Sequence, residues 1–351
     1  MKYIKKALII FLTFVFTLAT SACGNNDKSW ALKYENNTVS NGVYVYFLWV
    51  SYSNALQQLS AESDSMPDIK TQKIDGKVAE VWIKESAIKY VKEMLATEKL
   101  FEEKGLTISD EESKKIDEET SASYENLKEK LEKYKITLDD FKRAYALLSI
   151  KSEKLFKGLY GKDGSEAVSD EDLLNYYKTN YVSLNIIAKN SESSPESDEN
   201  AQNNENTNSD EKTEEQFKNY VNMINNGEKS LTDVGNMFKE SEKIDHDPIE
   251  TEVLNPNSDN VSKEISSKIN ELELNKSTYL KFKGTFLLLF KNDINKSLPN
   301  MSDEKERAQI LLEMKSSDFK NLLKSEVEKM NIKVNENSIK DYPPATFFKE
   351  D

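Results

Sequence analysis

Side-chain chemistry needs nucleophiles, bases or metal ligands at workable spacing, and two of the commonest, thiol and imidazole, are scarce in this chain. There is one cysteine, Cys23, and one histidine, His246. A single thiol forms no internal disulfide, and a single imidazole leaves no His/Cys cluster for zinc. His246 lies between Asp245 and Asp247 in a polar stretch. It reads as a surface residue, and two carboxylates around one imidazole make a weak metal site at best. No metal and no cofactor is therefore expected, and no catalytic pairing stands out among the charge-rich helical faces. Nucleotide-binding loops of the type G-x-x-x-x-G-K-[ST] or G-x-G-x-x-G do not occur. A net charge of −14, from 62 acidic and 48 basic residues, excludes a nucleic-acid-binding role, whose affinity comes mainly from neutralising phosphates.

The chemistry that Cys23 does offer is acylation. Met1 to Lys6 carries Lys2, Lys5 and Lys6 and no acid; Ala7 to Leu18 is apolar; the small residues Ala19-Thr20-Ser21-Ala22 precede Cys23. A basic start, a short apolar run and a small-residue cleavage site make a secretory signal peptide over residues 1–22. The apolar run is too short to read first as a spanning helix. Ala22-Cys23-Gly24 resembles the lipobox of bacterial lipoprotein precursors, with Thr20 where leucine is usual. That resemblance implies lipid attachment at Cys23 and a place on the outer face of the bacterial cytoplasmic membrane. Each buried acyl CH₂ contributes about 0.8 kcal/mol, and stable anchoring takes roughly two chains. Loss of residues 1–22 takes the net charge from −14 to −17, so the lipid would hold an acidic body that anionic headgroups repel.

Only 10 glycines and 7 prolines in 351 residues point to long helices and few tight turns. Trp30, Leu32 and Tyr34 alternate as a short strand. The spacing predicts helices over Val43–Leu59 and over about Lys77–Lys104, the latter with Val81, Ile88, Val91 and Leu95 on one side and Gly105 past its end. Ser109-Asp110-Glu111-Glu112, Thr137-Leu138-Asp139-Asp140 and Ser169-Asp170-Glu171-Asp172 each place a hydroxyl N-cap before first-turn acids. Helices should thus begin near 110, 138 and 170. Tyr181–Ala188 is a strand candidate. The acidic stretch 190–213 has almost nothing to bury and is expected to be a disordered loop. Helices follow from about Thr213, around Leu231–Phe238 and over Val261–Ile269, with polar loops through Pro248 and Pro256. Tyr279–Phe290, broken by Gly284, is the strongest strand signal. Ser302 is expected to cap a last helix, and Ile332 and Val334 to form a last strand whose natural partner is the strand near Trp30. The sequence therefore divides into a helical segment 23–180, a small strand-bearing domain 181–292 inserted in it, and a closing segment 293–351.

This layout resembles the PrsA/SurA family of extracytoplasmic folding factors. The resemblance rests on the lipobox-like start, Gly105 to Glu112, Ser169-Asp170-Glu171 with Tyr176-Tyr177, the spaced Phe217…Gly227…Leu231…Val234…Phe238, and Gly284-Thr285-Phe286-Leu287-Leu288. It implies an α+β, mostly helical fold. In it a SurA/trigger-factor-like helical chaperone domain is interrupted by a small parvulin-like α/β domain of the prolyl isomerase type. It also implies that the two isomerase histidines should fall at Asn185 and Phe286, which are not histidines, while His246 stands elsewhere. The resemblance thus implies a degenerate parvulin domain that leans away from being an enzyme. The partners it implies are unfolded or nascent secreted polypeptides and, through the lipid, the cell membrane; a homodimer stays open. Clients would sit in an apolar concavity between the two domains, and the acidic exterior would favour cationic ones. The alternatives are an active peptidyl-prolyl cis-trans isomerase using other residues, and a solute-binding or structural envelope lipoprotein.

Overall fold

The computed structural model describes residues 28–61, 69–191, 206–258 and 260–348. The expected signal peptide over residues 1–22, Cys23 and most of the acidic stretch lie outside these residues. The chain divides into two compact units, one comprising residues up to Ala167 together with those from Ser316 onward, the other Val168–Lys315. Among the described residues no helix is long and apolar enough to cross a membrane.

The outer unit opens with strands β1 (Leu32–Tyr34) and β2 (Asn37–Val39), then helix α1 (Asn41–Ala61), a two-residue ladder β3 (Lys73–Ile74) and β4 (Lys77–Val78), and helix α2 (Ala79–Glu103). Helix α3 (Asp110–Lys133) starts on a complete capping box, with Ser109 and Glu112 satisfying each other's backbone N–H groups. The same device, Thr137 with Asp140, starts α4 (Leu138–Phe141). A π-helical segment, Lys142–Leu147, links it to α5 (Leu148–Tyr160). The apolar face of α1 (Tyr44, Leu48, Tyr52, Ala55) packs with Ile83, Ala87, Val91 and Met94 of α2 in one core.

The middle unit begins with α6 (Asp170–Asn180) and β5 (Val182–Asn190), followed by α7 (Asn206–Asn225), α8 (Leu231–Glu242), β6 (Glu250–Leu254), α9 (Lys263–Glu271), β7 (Ser277–Phe282) and β8 (Thr285–Asn292). The four strands form an antiparallel sheet in the order β6-β5-β8-β7. Strand alternation puts Ile187, Phe286 and Leu288 on one face with Phe217 of α7 and Phe238 of α8. Leu184, Leu280 and Leu289 face the other way, with Ile269 at the end of α9. Both faces of the sheet are thereby covered. The strand signal at Tyr279–Phe290 resolves into a hairpin: Lys283 and Gly284, at φ 46° and 77°, make the two-residue turn whose twist matches the flanking strands.

Helix α10 (Glu304–Lys329) carries the border between the units, and β9 (Lys333–Val334) and the short α11 (Glu336–Ile339) complete the outer one. Strand β9 pairs antiparallel with β1, Leu32 opposite Val334. Asn335 seals the join, its amide N–H donating to the Ala31 carbonyl at 2.8 Å and its side chain to that of Trp30 at 3.0 Å. The chain's two outer segments thus fold as one unit.

Several expectations need correction. The compact middle unit runs from Val168 to Lys315 and so takes in α6 and the first part of α10 besides the strand-bearing stretch 181–292. Arg307, 6 % exposed, explains this: its Nε donates to Asp170 and its Nη2 to the Val168 carbonyl, both at 2.7 Å, so α6 and the start of α10 are stapled together. Helix α7 begins at Asn206, so residues 206–213 of the acidic stretch are helical. One reason is that Asp210 has partners there, accepting from Ser191 and from Lys281. Strand β6 stands where a polar loop between Pro248 and Pro256 is expected; its Thr251 and Val253 are β-branched, but its exposed edge hides the alternation. Asp303, not Ser302, caps α10, accepting from the Lys305 and Glu306 amides.

Candidate functional site

The positions matched to the isomerase histidines, Asn185 and Phe286, are on the same face of the middle sheet but do not meet. Asn185 is in register with Phe290, whereas Phe286 is in register with Lys189. Four residues along a strand separate the two rows, roughly 13 Å. Asn185 is half-buried; its amide donates to Asn292 at 3.4 Å and its carbonyl accepts from Thr251 at 2.8 Å. Phe286 is 1 % exposed. Its ring lies 5.9 Å from that of Phe217, and the Lys281 ammonium sits 4.8 Å from its centroid. Phe286 is a core residue and closes the place it occupies. His246 is well exposed, its Nδ1 3.6 Å from Asp245, while Asp247 accepts from the Ile249 amide at 2.9 Å. Among the described residues no group of three His, Cys, Asp or Glu side chains is placed to hold a metal.

A tyrosine set that sequence reasoning did not single out anchors the start of β5. Tyr177 and Tyr181 stack at 4.5 Å, the Tyr181 hydroxyl donates to Glu313, and Asn255 donates to the other Glu313 oxygen at 2.5 Å. Burial, then the Glu313 carboxylate, push the Tyr181 phenol far up. This is a neutral tyrosine locking α10 to the sheet, with no free valence for a ligand.

In the outer unit a second polar cluster is equally committed. Arg143, on the π-helical segment, donates from Nε and Nη2 to both oxygens of Glu98 at 3.0 and 2.9 Å, from Nη2 to Asn37 at 2.7 Å, and from Nη1 to the Thr38 carbonyl at 2.7 Å. Burial raises the Glu98 carboxyl, but the Arg143 hydrogen bonds and charge and the Asn37 amide outweigh it and leave the group below its ordinary value. A cleft of about 420 Å³ beside this cluster is lined by Trp30, Ser40, Asp140 and Arg143. Asp140 is held there by Ser40 and Thr137. A Cβ on Gly42 would come within 2.0 Å of the Asp140 carboxylate, so only glycine lets the two helix starts approach.

The surface left without a partner lies between α2 and the second half of α10. Ile88 and Val327 floor a groove of about 510 Å³, rimmed by Glu85, Lys89, Lys92, Glu93, Lys324 and Glu328. Its exposed lining is mostly apolar. Helix α2 explains it. Ile83, Ala87, Val91 and Met94 face the core, while Val81, placed on the same stripe by spacing, is 48 % exposed. The apolar stripe of α2 is wider than one packing partner needs, and its surplus at Val81 and Ile88 faces the groove side. That surplus was the available sequence signal. The contribution of Val327 was not legible, because α10 had to be placed first.

No protein-family model and no curated relative matches the chain. Among solved structures it is similar to foldase protein PrsA from Streptococcus pneumoniae, at 15% identity over 88% of this chain and 97% of that one, with a TM-score of 0.34. It is also similar to foldase protein PrsA from Lactococcus lactis, at 10% identity over 91% and 98%, with a TM-score of 0.32. Neither likeness assigns a role to any residue.

Proposed function

We propose that this protein is a lipid-anchored chaperone of the extracytoplasmic face, which holds unfolded secreted chains and does not isomerise prolines. Cys23 would carry the anchor. The α2–α10 groove would take apolar client segments, and the observation that carries the reading is this open, apolar-floored groove on a helical unit. Isomerisation requires a site that favours the twisted, non-planar peptide against a barrier of about 18–20 kcal/mol. Asn185 and Phe286 stand rows apart and Phe286 is core, which supports a middle unit without that chemistry. A holdase of this kind must bind weakly and release quickly, because binding the unfolded state favours that state by mass action.

The test pairs two assays on the mature chain. Aggregation of an unfolded substrate should be suppressed, and suppression should fall several-fold in Ile88→Ser/Val327→Ser with the fold intact by circular dichroism. A proline-peptide assay should give the uncatalysed rate. Full suppression by the double variant would remove the groove as the client site; catalysis that disappears in Asn185→Ala would make the protein an isomerase after all.

A further inference from the structure

The chain as a whole is strongly acidic, yet the groove rim is not, and this difference selects a client. Six charged side chains rim the groove, three lysines and three glutamates. Two of the glutamates are already neutralised. Glu85 pairs with Lys77 at 2.5 Å, and Glu93 has Lys89 at 3.8 Å. Glu93 is pushed up first by burial, while Lys89 and Lys320 act against that shift, so Lys320 too lies within electrostatic reach of the rim. Lys92 and Lys324 form no ion pair among the described residues. Glu328 alone opposes them. The rim's own charges balance, and Lys77 and Lys320 just beyond it tilt the lip positive, over an apolar floor on a protein of charge −14.

From this we infer that the groove takes apolar segments flanked by carboxylates, rather than the cationic segments that the whole-chain charge would favour. The proposal rests on the groove being the client site. At physiological salt the Debye length is about 8 Å, so charges across the rest of the molecule are screened. The lysines at the lip, within contact distance of a docked segment, decide the preference. Exposed pairs are individually weak, so the preference is modest, which suits a protein that must release what it holds.

The experiment measures fluorescence anisotropy of three labelled peptides on the full chain. They share one apolar core and differ in acidic, basic or neutral polar flanks. The acidic peptide should bind about three- to ten-fold more tightly than the basic one. The preference should shrink as salt rises, and reverse in Lys92→Glu/Lys324→Glu. Equal affinities for all three, or tighter binding of the basic peptide, overturn the charge preference. If in that case Ile88→Ser/Val327→Ser still abolishes binding, the groove remains the client site. If that variant binds every peptide normally, the groove reading itself fails. Sedimentation showing a dimer of the full chain that Val327→Ser dissolves would make a second copy the occupant and overturn the proposal.

Discussion

The two units solve the problem of burying polar and apolar groups in opposite ways. The middle unit closes both faces of its sheet with helices, and Phe286 fills with a ring a position where the family resemblance implies an imidazole. The outer unit builds its interior partly around a charged knot, Arg143 with Glu98, and leaves the edge of the apolar stripe of α2, at Val81 and Ile88, incompletely covered. The first fills its interior around Phe286, and the second keeps an apolar-floored groove open beside α2.

The largest effect should come from opening the closed unit. Phe286→Ala removes a fully buried ring and should destabilise the middle unit by about 4 kcal/mol, read as loss of hydrogen-exchange protection in β5 and β8. An unchanged stability would mean that Phe286 is not core, and the contrast between the units would go with it. Next is Arg143→Ala in the outer unit. It strands a buried carboxylate and should cost about 3 kcal/mol, measured by denaturant unfolding, with part recovered by adding Glu98→Gln. No recovery would mean that the cost lies in lost packing.

The smallest effect concerns pH. Glu98 in the outer unit has a lowered folded-state value, as does Glu112, down to about 2, through Lys154 and the Ser109 backbone. A lowered carboxyl contributes stability that is fully present above the unfolded value, near 4.5, and is lost as pH falls through the folded one. The outer unit should therefore weaken from about pH 4.5 down towards 2. In the middle unit Asp233 and Glu214 are also lowered; like Glu112 they lie at the surface, so salt should screen the share of all three and leave that of the buried Glu98. Glu98→Gln should flatten the outer unit's acid limb at high salt; an unchanged limb would take Glu98 out of the account.

Much of the helical layout was legible because local rules decide it. Ser109, Thr137 and Ser169 announced their helices to the residue, since a capping hydroxyl and its first-turn acids interact within one turn. The strand beside Trp30 and that at Val334 were legible as an unpaired set. What escaped was set by distant contacts: β6, whose edge exposure blurs alternation, and the stapling of α6 to the start of α10, made by Arg307 across 137 residues to Asp170.

From the sequence alone came the scarcity of thiol and imidazole, the expectation of acylation at Cys23, the capped helices and an α+β, mostly helical chain with its strands concentrated in the middle. These are properties of composition and of neighbours a few residues apart. Only the tertiary structure decided that Asn185 and Phe286 lie in different rows of one sheet, that Phe286 is core, and that Ile88 and Val327 line one open groove. Strand register and helix pairing are settled by which burial excludes most water over the whole unit, and no local stretch of residues carries that information.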